Sequence, residues 1–224
     1  MKKFLEKQGW HAAALIVLLA AAFLFIMRQD FRSGQLWGIS SPVWYWAAIL
    51  IPILHQVFVL LVWRAELYSD QWVSKTFGSR GFQLYGIIFF ILFFGRPVSI
   101  LLLGIANTGS LTLAWPWRIG LGILFFIPAA YLGYSVMHYF GIARALGADH
   151  FDESYRKLPM VKEGFFKYSS NSMYVFGFLL LWSLAFLTAS KAALFAAAFN
   201  HLYIWIHYYT TEEPDMQYIY GEKN

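Results

Sequence analysis

The sequence predicts an all-α fold, a polytopic bundle of about six membrane-spanning helices, on three observations. Hydrophobic residues make up 59% of the 224 positions and charged residues only 13%, where a soluble chain carries roughly a quarter charged. Apolar runs recur that are long enough, at ~1.5 Å per residue, to cross ~30 Å of hydrocarbon. The basic residues gather in alternate connecting segments, which is how a multi-pass protein is oriented.

The N-terminal segment carries Lys2, Lys3 and Lys7 and leads into a first span at residues 10–27. The residues that follow, Met27-Arg28-Gln29-Asp30, lack the small-residue pattern of a signal-peptide cleavage site, so this run is read as a retained helix. Trp37, Gly38, Ser40, Ser41 and Pro42 make a turn, and residues 43–63 return, with Trp44, Trp46 and Trp63 where an aromatic belt sits. Residues 64–81 are polar and read as a loop or short interfacial helix. The third span covers 82–104, an uncharged connection 105–117, and the fourth span 119–140. Residues 141–172 form the longest polar connection, and spans at 173–188 and 192–209 close the chain as a helical hairpin joined by Ala189-Ser190-Lys191.

With both termini cytoplasmic, the inner segments hold Lys2, Lys3, Lys7, Arg64, Lys75, Arg80, Arg144, Arg156, Lys157, Lys162, Lys167 and Lys223, and the outer ones only Arg28, Arg32, Arg118 and Lys191. That asymmetry sets the expected orientation. It divides the chain into a four-helix scaffold, 1–140, and a part, 141–224, that builds a cytoplasmic cofactor pocket from the loop, the hairpin and the tail. The net charge of +5 is spread along the chain with no dense basic patch, so no nucleic-acid partner is expected. Without cysteine there is no thiol chemistry. His201 and His207 fall on different helix faces, so no metal site is expected.

On the last span Asn200, Tyr203, His207 and Thr211 recur at helical spacing and form a polar stripe leading to Glu212-Glu213-Pro214. Two carboxylates at the end of a span oppose the helix dipole. A new short helix capped by Thr210 or Thr211, with Pro214 in its first turn, would reverse that conflict. Arg96, beside Pro97 in the third span, costs about 2.5 kcal/mol or more at membrane depth. Either carbonyls freed at the proline satisfy it, or an anionic ligand such as a lipid phosphate does. Arg96 and His55 of the second span are therefore the candidate substrate contacts. Gly147 permits close backbone approach to a ligand.

Leu146-Gly147-Ala148-Asp149-His150-Phe151, then Ser170-Asn171-Ser172-Met173-Tyr174, a helical hairpin and Glu212-Glu213-Pro214, in that order, resemble the C-terminal half of the integral-membrane methyltransferases. That superfamily includes phosphatidylethanolamine N-methyltransferases and isoprenylcysteine carboxyl methyltransferases, and the Asn-x-Met-Tyr and Glu-Glu-Pro pieces look closest to the phospholipid branch. Ser170 and Ser172 stand where the family commonly has Arg and Pro, and the glycine after the tyrosine comes one place late, at Gly177.

The resemblance implies S-adenosylmethionine bound between the loop and the last two helices, with Asn171, Tyr174, Glu212 and Glu213 as contacts, joined by Gly147. Methyl transfer is an in-line displacement that depends chiefly on alignment. An amine acceptor must also lose a proton, for which His207 or Glu213 is the candidate base. The expected function is methylation of a membrane lipid, foremost a phospholipid amine. Isoprenylcysteine is the nearest alternative acceptor. Membrane sterol and steroid reductases are similar in this region with an Asn-Tyr motif, and would bind NADPH instead. A transporter-like or scaffold protein is the non-enzyme alternative.

Overall fold

The computed structural model describes residues 2–221. Lys223, counted above among the inner basic residues, lies outside them. Among the described residues four helices are long and apolar enough to cross a membrane. They are α1 (Gln8–Ile26), α2 (Ser41–Tyr68), the rod Trp72–Ala106 and the rod Trp115–Phe140. In the third, a short α3 (Trp72–Phe77) runs through a 3-10 turn into α4 (Gly81–Ala106). In the fourth, α5 (Trp115–Ser135) ends in a π turn, Val136–Phe140. The hairpin supplies two shorter rods, α6 (Leu179–Thr188), entered through a π turn at Met173–Gly177, and α7 (Lys191–His207).

The reason α7 needs less length is visible in its sequence. Ala192, Ala193, Ala196 and Ala197 are all buried, as are Asn200 and Tyr203. Small residues let neighbouring backbones approach closely, and α7 packs against α1, α2, α4 and α6 at once. A helix surrounded by protein is not required to match the bilayer thickness. The polar stripe read from sequence, Asn200, Tyr203, His207 and Thr211, faces this interior. Gly104 and Gly122 bring α4 and α5 onto α6, since a Cβ on either would come within 2.4 Å of Thr188 and Leu187 respectively.

The turn after α1 is a two-residue hairpin in which β1 (Gln35–Leu36) pairs antiparallel with β2 (Ile39–Ser40). Trp37 and Gly38 both take positive φ there, 55° and 77°, as such hairpin turns require. At this end of the bundle Asn107 is the staple. Its Nδ2 donates to the carbonyls of Asp30 (2.8 Å) and Ser33 (3.0 Å), and its Oδ1 accepts from Ser110 and Ser190, each at 2.7 Å. Ser190 in turn accepts from the Ala193 amide and caps α7.

At the opposite end the chain departs from expectation. No threonine caps a new helix: Thr210 instead donates back to the Ile206 carbonyl at 2.6 Å. The last span continues through a π turn, Tyr208–Glu212, into α8 (Glu213–Tyr220), with Pro214 in its first turn. The glutamates therefore sit inside a continuous rod, and the conflict with a helix C-terminus does not arise. Residues 64–81, read as a loop or short interfacial helix, extend α2 to Tyr68 and then build the short helix α3. Lys3 lies over the Tyr218 ring, 4.2 Å from its centroid, so both described ends share one face.

Replacing Asn107 by alanine leaves several buried partners unpaired, each worth ~1–3 kcal/mol. Thermal unfolding in detergent should show N107A destabilised by about 2 kcal/mol or more, and an unchanged midpoint would rule out the staple.

Candidate active site

Beneath the face that holds both ends, α2 delivers Arg64, whose side chain is 0% exposed. Its Nε lies 3.3 Å from Asp215 Oδ1, itself fully buried on α8. Its Nη1 donates to the carbonyls of Phe4 (2.7 Å) and Glu6 (2.9 Å), and Nη2 to that of Thr210 (3.1 Å). The Tyr68 hydroxyl donates to Asp215 at 2.9 Å. One guanidinium thus ties together the N-terminal segment, α2 and the tail.

His150 completes the cluster. Its Nδ1 lies 3.1 Å from Asp149 Oδ1 and its Nε2 3.8 Å from Asp215 Oδ2, and the Trp63 ring stacks on it at 4.1 Å. Burial works against its charge, yet the flanking Asp149 and Asp215 carboxylates raise its pKa. Asp149 is likewise penalised by burial, but hydrogen bonding to His150 and Tyr220 holds its carboxyl below the usual range. Trp63 also donates to the Tyr85 hydroxyl at 2.9 Å, which passes its proton bond to the Leu146 carbonyl at 3.1 Å. Gly147 has φ 78°, and a Cβ there would meet the Trp63 ring at 2.5 Å. The close approach that requires glycine here is to an indole of the protein itself.

Next to this cluster the two expected motifs meet. The Tyr174 hydroxyl, at the start of the hairpin, donates to Glu212 Oε2. The Tyr174 ring packs edge-on against Trp205 at 5.9 Å and lies tilted against Tyr208 at 5.7 Å. Burial pushes the Glu212 carboxyl up to about 7, against the opposing pull of the Tyr174 hydrogen bond and of His150. The π turn explains the geometry: its extra residue turns Glu212 inward while Glu213 faces α1, 3.4 Å from Lys7 Nζ. Asn171 accepts the Tyr174 and Val175 amides at its own carbonyl and so starts the helix. Ser172, where the family commonly has proline, is buried and pins the loop by donating to the carbonyls of Phe165 (2.7 Å) and Ser169 (2.6 Å).

His207 lies deeper on α7, 1% exposed, with its ring centroid 6.2 Å from both His11 and Trp63 and neither ring nitrogen hydrogen-bonded. Arg96 and His55 are buried within the middle stretches of α4 and α2, at 4% and 2% exposure. The structure therefore joins Tyr174 with Glu212, sets Asn171 three residues before that tyrosine, and leaves Glu213 and Gly147 on other surfaces. A cleft of about 620 Å³ opens between Tyr139–Arg144 and the 155–163 segment. It contains neither Tyr174 nor Glu212. Arg64, Trp63 and Asp215 were missed as site builders. In the sequence Arg64 reads as a topology charge, although its place at the end of a span in a chain with an acid-rich tail is a usable signal.

Two measurements test this arrangement. Asp215→Ala strands a buried guanidinium and should cost about 3 kcal/mol or more, whereas the double change Arg64→Met with Asp215→Leu should recover much of that loss. An undiminished unfolding midpoint in D215A would exclude the pair as a structural lock. For Glu212, a carboxyl whose folded pKa of about 7 lies above its ordinary value of 4.5 makes the fold lose stability as pH rises between those values. His150, with its own raised pKa, adds a loss of the same sign. The slope of stability from pH 5 to pH 8 should therefore be shallower in E212Q than in the unaltered chain, and equal slopes would contradict a desolvated Glu212.

Among known families, the model described as phospholipid methyltransferase matches residues 117–223. No match to the chain was found among curated proteins or among solved structures. The matched segment contains most of α5, the loop, the hairpin and the Glu212-Glu213-Pro214 tail, and over that stretch the chain is similar to the phospholipid methyltransferases.

Proposed function

We propose that this protein transfers a methyl group from S-adenosylmethionine to a membrane lipid, foremost a phospholipid amine, at a site opening to the cytoplasm, the side on which we place both termini. The observation that carries the reading is the Tyr174–Glu212 contact, which unites the two motifs of the resemblance around one buried acid. A carboxylate walled by Tyr174, Trp205 and Tyr208 suits a ligand bearing ammonium and sulfonium charge, because the anion pairs with the first and aromatic faces attract the second. The cosubstrate, when bound, supplies an electrophilic methyl group. In this reading Glu212, Tyr174 and Asn171 hold it, with residues 141–224 as the cofactor-binding part and 1–140 as the scaffold.

For an amine acceptor, the new N–C bond forms as the S–C bond breaks, and the nitrogen gives up a proton. We assign that proton to His207, whose ring nitrogens are free of hydrogen bonds. Glu213 is already paired with Lys7 at the rim and serves there as a gatepost to the cofactor site. Gly147 acts through Trp63, keeping the floor under His150 in place. Arg96 and His55 contact the acceptor from the bundle interior. An apolar acceptor tail would enter sideways between helices, which accounts for a small-molecule reaction housed in a membrane.

Titration of the detergent-solubilised chain with S-adenosylmethionine and with NADPH decides between transferase and reductase chemistry. S-adenosylmethionine should bind. Glu212→Gln should weaken it by about tenfold or more, the value of a hydrogen bond to a charged group, and Tyr174→Phe by less. Binding of NADPH alone would remove the methyltransferase reading. Lipid mass spectrometry after expression in a host without methylated phospholipids then identifies the acceptor.

A further inference from the structure

Arg96 lies on α4, outside the segment that matches the methyltransferase family, and no described residue neutralises it. A guanidinium keeps its charge in proteins, and an unpaired one at membrane depth is costly. Arg96 is 4% exposed, and its Nε and Nη2 have no hydrogen-bond partner among the described residues. No described carboxylate lies within 4.0 Å of it. Asp215 is taken by Arg64, Asp149 by His150, Glu213 by Lys7 and Asp30 by Lys191. The proline explanation fails as well: the Ser99 hydroxyl donates to the Arg96 carbonyl at 2.9 Å, and no carbonyl freed at Pro97 reaches the guanidinium.

The neighbouring side chain brings one further N–H donor without a partner. His55, 2% exposed, sits edge-on to Phe89 at 4.5 Å and to Phe93 at 6.5 Å, and neither of its ring nitrogens is hydrogen-bonded. Phe89, Phe93 and Arg96 follow one another at helical spacing on α4, and Arg96 and His55 are within electrostatic reach of each other. The guanidinium lies 5.5 Å from the Phe178 ring centroid. Phe178 is one helical turn, ~5.4 Å, beyond Tyr174. Buried donors without acceptors, gathered on a permanent cation, are the complement of an oxyanion.

We infer that Arg96 and His55 form an oxyanion site inside the bundle, which takes the acidic headgroup of a membrane lipid about one helical turn deeper than the Tyr174–Glu212 pair. The identification of that lipid with the methyl acceptor rests on the methyltransferase reading; the anion site itself does not. A fork of guanidinium donors recognises phosphate and carboxylate alike, so the shared chemistry is the oxyanion.

The test is binding to the full-length chain in detergent, without S-adenosylmethionine, followed by native mass spectrometry. The probes are dihexanoyl phosphatidic acid, dodecanoate, dihexanoylglycerol and inorganic phosphate. At least one acidic lipid should bind about tenfold or more tightly than the uncharged diacylglycerol, and which one does so separates a phosphate headgroup from a carboxylate. Arg96→Gln should erase that preference. If R96Q does not fold, Arg96→Lys, which keeps the charge and loses the fork, should lower it several-fold. Equal binding of charged and uncharged lipids, a preference that survives these changes, or displacement of the lipid by inorganic phosphate at comparable concentration would each overturn the inference. Loss of S-adenosylmethionine binding, by contrast, would sink the proposed function and leave the anion site standing.

Discussion

The buried pair of Arg64 and Asp215 is the constraint on which the rest of this end of the molecule depends. Removing two charges from water is expensive, and the attraction between them returns that cost only when further hydrogen bonds complete the shell. Here they do. The guanidinium takes the carbonyls of Phe4, Glu6 and Thr210, and the carboxylate takes Tyr68. Such a pair contributes definition more than stability, because few alternative packings satisfy so many directional partners. Fixing Asp215 fixes the rotation of α8, and with it which of the two preceding glutamates looks inward.

The π turns serve the same end. They occur at Val136–Phe140, Met173–Gly177 and Tyr208–Glu212, where α5, α6 and α7 approach the site. An inserted residue rotates everything beyond it relative to the preceding helix, and such turns are frequent at functional sites. In the last helix the result is a separation of roles between adjacent acids of identical chemistry. Glu212 is desolvated and faces an aromatic wall, while Glu213 is half-exposed and paired with a lysine.

The proposed site draws on residues outside the segment that matches the methyltransferase family. Trp63, Arg64, Tyr85, His55 and Arg96 all come from α2 and α4, ahead of residue 117. They provide the floor under His150, the lock on the tail and the unpaired cation in the bundle. The N-terminal scaffold therefore supplies electrostatics as well as support, and chemistry particular to this chain is to be sought there.

The sequence by itself determined the fold class, the order of the helices and the motifs that resemble the integral-membrane methyltransferases, because these depend on local quantities. Apolar run length, the spacing of polar residues along one helix and short residue strings are all read within a few turns of chain. It also marked Tyr174 and Glu212, which the fold brings into contact, and Arg96 as a charge in need of a partner. What only the tertiary structure decided was rotation and pairing. A single extra residue in a π turn reverses the facing of Glu212 and Glu213, and continuing the helix past Thr211 removes the cap and the dipole conflict that the local sequence implied. Arg64 meets Asp215 across 151 positions of chain, and Gly147 meets Trp63, through packing that no local pattern encodes. Backbone propensity and hydropathy act over neighbouring residues, whereas the partner of a buried charge is chosen by how whole helices pack.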